Sequence, residues 1–150
     1  MKEVMRMEDR YLFKAKRVYN GGKWVQGYYV KGLDMYGKEV HLIFKPYTMF
    51  YSSGETDGWY KVDPTTICQC TGLKDKNGKL IWENDICDRK EEYPEIVKYN
   101  NGDWTLDYSY SKGKESGYCY CNLGFYALER KCVEVIGNIF DNPELLESEE

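Results

Sequence analysis

Apolar and polar residues alternate in short runs along most of the chain. The run 103–108 reads Asp-Trp-Thr-Leu-Asp-Tyr, and the run 39–44 reads Glu-Val-His-Leu-Ile-Phe. A period of two puts successive side chains on opposite faces of a strand. The runs are interrupted by Asn20-Gly21-Gly22, the turn at 34–37, Asn77-Gly78 and Asn101-Gly102. These residues tolerate positive φ and punctuate hairpins. The pattern predicts strands at 11–18, 23–31, 39–45, 58–62, 66–70, 79–82, 85–89, 95–99, 103–109, 117–121 and 132–139. Helix signals are confined to the end of the chain. Asn122 is placed to cap a short helix through about residue 130, and Asn142-Pro143-Glu144 opens another at 143–147. The prediction is a mainly β single domain over 1–150, a barrel or a sandwich. It is built of short antiparallel strands and ends in short C-terminal helices, with 143–150 a short helix and acidic tail. Loops are expected at 47–58 and 109–117. The expected core includes Trp82, Ile86, Trp104, Leu106, Val135, Ile136 and Ile139.

The stretch TGLKDKNGKLIWENDI, residues 71–86, has the look of a ligand loop. A phosphate loop needs glycines that lead into a helix N-terminus. Here Lys-Leu-Ile-Trp follows, which is strand-like. A calcium loop needs oxygen ligands at alternate positions and a closing Glu, and Lys79 breaks that order. The stretch reads instead as a hairpin turned by Asn77-Gly78. A second tight turn follows at Glu83-Asn84-Asp85, with Asn84 suited to positive φ and Asp85 to an Asx-type bond.

Composition strengthens the β reading. Of 150 residues, 15 are Tyr, 5 Phe and 4 Trp, types that fit a pleated half-buried surface. The net charge is −4, and four of the acids fall in the last seven residues. With the rest of the chain neutral, a strong field for a phosphate backbone is not expected. The start of the chain lacks the apolar run of a secretory signal, and no membrane-length apolar stretch occurs. The expectation is a cytoplasmic protein with its six cysteines as thiols.

Three chemical arrangements compete with plain structural roles. Cys68 and Cys70 share one strand face, as do Cys119 and Cys121, and four thiolates could bind zinc. Structural zinc sites favour cysteines two to four residues apart on turns, so small buried side chains are the simpler account. Sequence spacing does not say whether the two pairs lie near each other. His41 is the single histidine, on a strand and without a flanking nucleophile motif. Asp103, Thr105 and Asp107 read as a solvated face opposite Trp104, Leu106 and Tyr108.

Three blocks carry a resemblance. RYLFKAKRVYNGGKWVQGYYVKGL lies near the start, VDPTTICQCTGLKDKNGKLIWENDI in the middle and VEVIGNIFDNPELL near the end. In order and content they resemble the YopX family of phage and prophage proteins. Ala15 and Asn84 stand where that pattern has Gly, and Cys87 where it has an aliphatic residue. The resemblance implies a mostly β, small β-barrel-containing, self-associating phage or prophage protein of a bacterial host cell and supplies no reaction, catalytic residue, cofactor or metal.

The sequence therefore points to an accessory protein that is not an enzyme. It is expected to act through contacts with itself and with a host or phage protein, away from membranes. The alternative is a small barrel that binds nucleic acid through the basic N-terminal hairpin and strand tyrosines. The residues expected to form the surface are Lys14, Lys16, Arg17, Lys23, Tyr28, Tyr29, Tyr108 and Tyr110.

Overall fold

The computed structural model describes residues 7–49, 51–53, 58–110 and 120–147. Its strands are β1 (Phe13–Lys16), β2 (Trp24–Leu33), β3 (Glu39–Phe44), β4 (Trp59–Lys61) and β5 (Cys68–Lys74). They continue as β6 (Leu80–Trp82), β7 (Asp85–Asp88), β8 (Glu95–Asn100), β9 (Asp103–Asp107), β10 (Tyr120–Asn122) and β11 (Glu134–Asn138). Each expected segment overlaps one of them, and 117–119 of the segment at 117–121 lie outside the described residues. The chain forms two units, Met1–Cys70 and Thr71–Glu150, and the division falls inside β5.

In the first unit the strand order is β4-β3-β2-β1-β5, and the neighbours are antiparallel. Ala15, Val25, Ile43 and Val62 form the core, with Phe13, Tyr60 and Ile67 packed against it. Gly27 permits a close crossing in β2: a Cβ there would stand 1.9 Å from the Phe44 carbonyl oxygen. The β2–β3 hairpin turns at Asp34, whose Oδ1 accepts from the N–H groups of Tyr36 and Lys38, both at 2.9 Å.

In the second unit β6 follows β5 through a turn of the same design. Asp75 Oδ1 accepts from the N–H groups of Asn77 and Lys79, and Gly78 takes φ 81°. The five-stranded sheet runs β10-β9-β8-β7-β11. Its core comprises Ile81, Cys87, Val97, Leu106, Leu123, Ala127 and Val133. Asn84 turns the chain between β6 and β7 at φ 67°, and the Trp82 N–H donates to Asp85 Oδ2 at 2.8 Å. Asp85 therefore does bond the turn backbone, but back to Trp82 rather than forward as in an Asx turn.

The structure departs from the sequence reading in four places. Both strand orders are open among the described residues, in place of the expected barrel. One isolated bridge, Arg17 to Val62, ties the end of β1 to the residue after β4. The C-terminal helices are single turns. Asn122 does cap, accepting from the Phe125 N–H at 2.7 Å, but the turn it starts widens to a π-helix at Phe125–Glu129. Asn142 does not cap the 3-10 turn Pro143–Leu146, because its Oδ1 faces back to the Asn138 N–H.

The third departure concerns the core. Trp82, Ile86 and Leu106 are buried, and Trp104 and Val135 pack against the core. Ile139 is half-buried and Ile136 is exposed. The register between β11 and β7 shifts between Val135 and Gly137, and that bulge turns Ile136 out. The fourth is Thr105, which is buried rather than on a solvated face. Its hydroxyl donates to the Lys98 carbonyl at 3.0 Å and accepts from Asn100 Nδ2 at 2.8 Å, so its polar atom is satisfied inside.

Candidate functional site

Register places a set of side chains together on the outward face of the first sheet. Ala15, Val25 and Ile43 point into the core, so their alternates point out. Lys16 lies opposite Trp24 across β1 and β2. Tyr28 lies opposite Phe44, and Phe44 opposite Trp59, which sets a row of three aromatic residues across β2, β3 and β4. Tyr28 is 44% exposed and Trp59 48% exposed. The Nζ atoms of Lys14 and Lys16 lie 4.8 and 5.5 Å from the Trp24 ring centroid. Such contacts hold a cation at an aromatic face.

At the β4 edge a cleft of about 350 Å³ is lined by Arg17, Tyr19, Trp59, Tyr60 and Lys61. The Arg17 guanidinium sits 4.0 Å from the Tyr60 ring centroid and the Lys45 ammonium 5.0 Å from it. A hydrogen bond with Lys45, and the charges of Lys45 and Arg17, draw the Tyr60 phenol below its usual pKa. The charge of the chain is also unevenly divided. The first unit has eleven Lys and Arg against eight Asp and Glu, while the second has ten against seventeen. A neutral average thus conceals a basic unit and an acidic one.

The expected surface residues fall in several places. Lys14, Lys16 and Tyr28 share the outward face, Lys23 sits exposed at the start of β2, and Arg17 lines the cleft. Tyr29 points the other way, with its ring 5.6 Å from that of Phe13. Tyr108 and Tyr110 belong to the second unit, and the Tyr110 hydroxyl donates to the Pro94 carbonyl at 2.5 Å. Burial, then the charges of Glu95 and Tyr93, raise the Tyr110 phenol. Tyr118 lies outside the described residues. Phe44, Trp59, Tyr60 and Lys61 were not anticipated. Their alternation was readable, but alignment with Tyr28 depends on strand order and register.

His41 is enclosed in a relay. Nδ1 is within hydrogen-bond distance of the Tyr29 hydroxyl at 2.5 Å, and Nε2–H donates to Glu39 Oε1 at 2.9 Å. Lys31 meets the other Glu39 oxygen at 3.2 Å and, with His41, holds the carboxyl below its usual pKa. Both ring nitrogens are thus engaged by a phenol and a carboxylate. Neither is presented to a serine or cysteine nucleophile.

Cys68 and Cys70 are buried in the first unit and Cys121 belongs to the second. Cys119 lies outside the described residues, and among the described residues no three His, Cys, Asp or Glu side chains are placed to hold a metal. All five described cysteines are thiols. Burial foremost, then the charges of Asp85, Asp75 and Glu95, push the Cys87 thiol well up. An unfolded cysteine ionises near pH 8.5. Stability from this thiol is therefore complete below that pH and falls as pH rises toward the folded pKa, because only the unfolded chain then gains the thiolate. The slope approaches about 1.4 kcal/mol per pH unit. Urea unfolding at pH 7.5 and pH 9.5 is expected to show a smaller alkaline loss for Cys87→Val than for the unaltered chain. Equal losses would mean that Cys87 does not set the slope.

Among the described residues no helix is long and apolar enough to cross a membrane. No curated protein matches the chain. The crystal structure of protein yopX from Bacillus subtilis is similar in fold, with a TM-score of 0.50 at 19% identity, over 94% of this chain and 99% of that one. The family described as YopX protein matches residues 2–147, nearly the whole length and all three sequence blocks. The chain belongs to the YopX family.

Proposed function

We propose that the chain is a non-enzymatic interaction module that self-associates, borne by a phage or prophage and acting on itself and on a host or phage protein. The observation that supports this is the tip of the β2–β3 hairpin. Leu33, Met35 and Tyr36 are 71%, 87% and 87% exposed there. Large apolar side chains grouped on one projecting turn favour a covered state, and Tyr and Met are types enriched in interfaces. The partner that fits first is a second copy, since closed homo-oligomers are the commonest assemblies. The Asp34 turn fixes the tip by two side-chain bonds to its own backbone, which lowers the ordering cost of association.

Sedimentation equilibrium of the unaltered chain is expected to give at least a dimer at tens of micromolar. Leu33→Lys combined with Met35→Lys is expected to shift the equilibrium toward monomer by tenfold or more, with an unchanged far-ultraviolet spectrum. A chain that is monomeric throughout that range, or a dimer indifferent to both lysines, would remove this reading.

A further inference from the structure

We propose that the outward face of β1–β4 is a binding site for single-stranded nucleic acid. Three observations converge on this ligand.

The first is the aromatic row Tyr28, Phe44 and Trp59, set side by side by the pairing of β2, β3 and β4. Adjacent strands stand about 4.8 Å apart, so the row extends roughly 10 Å across the sheet. Unpaired bases stack on such rings without regard to sequence, whereas a duplex keeps its base faces covered. The two outer residues of the row are about half exposed.

The second is the placing of cations beside the row. Lys14 and Lys16 lie on the same face, next to Trp24. Lys61, on the same face two residues after Trp59, and Arg17, which follows Lys16 and is bridged to Val62, line the cleft beside the row. A strand whose bases cover the row would carry phosphates toward these cations. Alternating aromatic and cationic groups suit a backbone that alternates base and phosphate.

The third is charge. The first unit has a surplus of three basic residues while the second has a surplus of seven acids. The surplus is modest, which agrees with contacts to a few phosphates rather than to a duplex. An acidic peptide would satisfy the cations but make no use of three aromatic residues in register, so nucleic acid is the better fit.

The test uses the full chain and a fluorescein-labelled thymidine 15-mer, read by anisotropy in 50 mM salt. Saturable binding is expected, with the matching duplex bound at least about tenfold more weakly. Tyr28→Ala and Trp59→Ala should each weaken binding about fivefold or more, as expected for loss of a stacked base. Lys14→Ala with Lys16→Ala should reduce the slope of log affinity against log salt by about 1.4, or 0.7 for each phosphate contact. Lys61→Glu is a second variant on an exposed side chain, expected to weaken binding and to leave the circular dichroism unchanged. The proposal is overturned by no anisotropy change up to about 100 μM protein, or by a duplex bound as tightly as the single strand. It also fails if a glutamate oligopeptide displaces the 15-mer at equal charge and the aromatic variants bind like the unaltered chain. That outcome assigns the face to an acidic protein, which includes the second unit of another copy.

Discussion

Arg89→Ala is expected to destabilise the protein by about 3–5 kcal/mol, the range for removing one partner of a buried ion pair. Arg89 and Glu95 have side-chain exposures of 9% and 1%, and Nε donates to Glu95 Oε1 at 2.6 Å. The remaining guanidinium nitrogens donate to Glu91 Oε1 at 3.1 Å and to Cys121 Sγ at 3.3 Å. The Tyr126 ring lies 4.2 Å from the centre of the guanidinium group. Alanine leaves the Glu95 carboxylate inside the second unit without that cation. The same reasoning says that Glu91→Ala costs little, at most about 1 kcal/mol, because its carboxylate is solvated. Arg89→Met with Glu95→Leu should recover most of the loss, since it removes the charge together with its partner. Arg89→Lys should not, because an ammonium cannot reproduce the fork that meets Glu95, Glu91 and Cys121 at once. Urea midpoints for these four variants decide the matter. A single-variant loss below about 1 kcal/mol would mean that water reaches Glu95 and that the pair is not a buried one.

This pair was illegible in the sequence for a definite reason. KEEYP, residues 90–94, reads as a charged loop, and although Glu95 opens the strand expected at 95–99, nothing local says that its side chain is buried where Glu91 is solvated. Burial separates them, and it arises because Glu95 pairs with Cys87 across β7 and β8. Strand positions were legible because alternation and turn residues are local signals. The Asp-x-x-Gly-Lys turns at 34–38 and 75–79 show this most clearly, since the acid, the glycine and the hydrogen bonds occur within five residues. Pairing partners were not legible. The aromatic row needs the order β2-β3-β4 and its register, so Tyr28 was noticed while Phe44 and Trp59 were not. Ile136 was misplaced by one extra residue at a bulge, which reverses a face that strict alternation assigns. Closure was not legible either. Short strands with regular turns suit a barrel and an open sheet equally well, and only long-range pairing separates the two.

The candidate face also shows why net charge was a poor guide. A total of −4 argued against nucleic acid, but the division inside β5 leaves the basic surplus with the strands that carry the aromatic row. Fields act over about 8 Å in physiological salt, so local sign governs contact with a ligand. The hairpin tip and the outward face differ in the same respect. The tip is apolar and suits a self-complementary contact, whereas a face bearing Lys14, Lys16 and Lys61 resists pairing with its own copy.

Asp75→Ala is the second change expected to have a large effect, at about 4 kcal/mol. Asp75 is 6% exposed and accepts three backbone N–H groups: Asn77 and Lys79 on Oδ1, both at 2.9 Å, and Val135 on Oδ2 at 3.0 Å. Hydrogen bonds to a charged group contribute about 1.5–3 kcal/mol each, and an abandoned N–H in a buried place costs more than one that regains water. Two of the three bonds close the β5–β6 turn. The third holds β11, which also reaches the turn when the Lys76 N–H donates to the Val133 carbonyl at 2.9 Å and Lys76 pairs with Glu134 at 3.1 Å. Asp34 supplies an internal comparison. It makes the same two turn bonds but has no third acceptor contact of this kind and is more exposed. Asp34→Ala should therefore cost about 1 kcal/mol, the usual size of a turn or cap contribution. Asp75→Asn should fall between, because a neutral amide can present only one oxygen to the three donors. The difference between the two alanine variants, about 3 kcal/mol by this account, isolates the bond to Val135 and the burial around it. Equal costs for the two would show that turn closure alone sets the value and that β11 is held without Asp75.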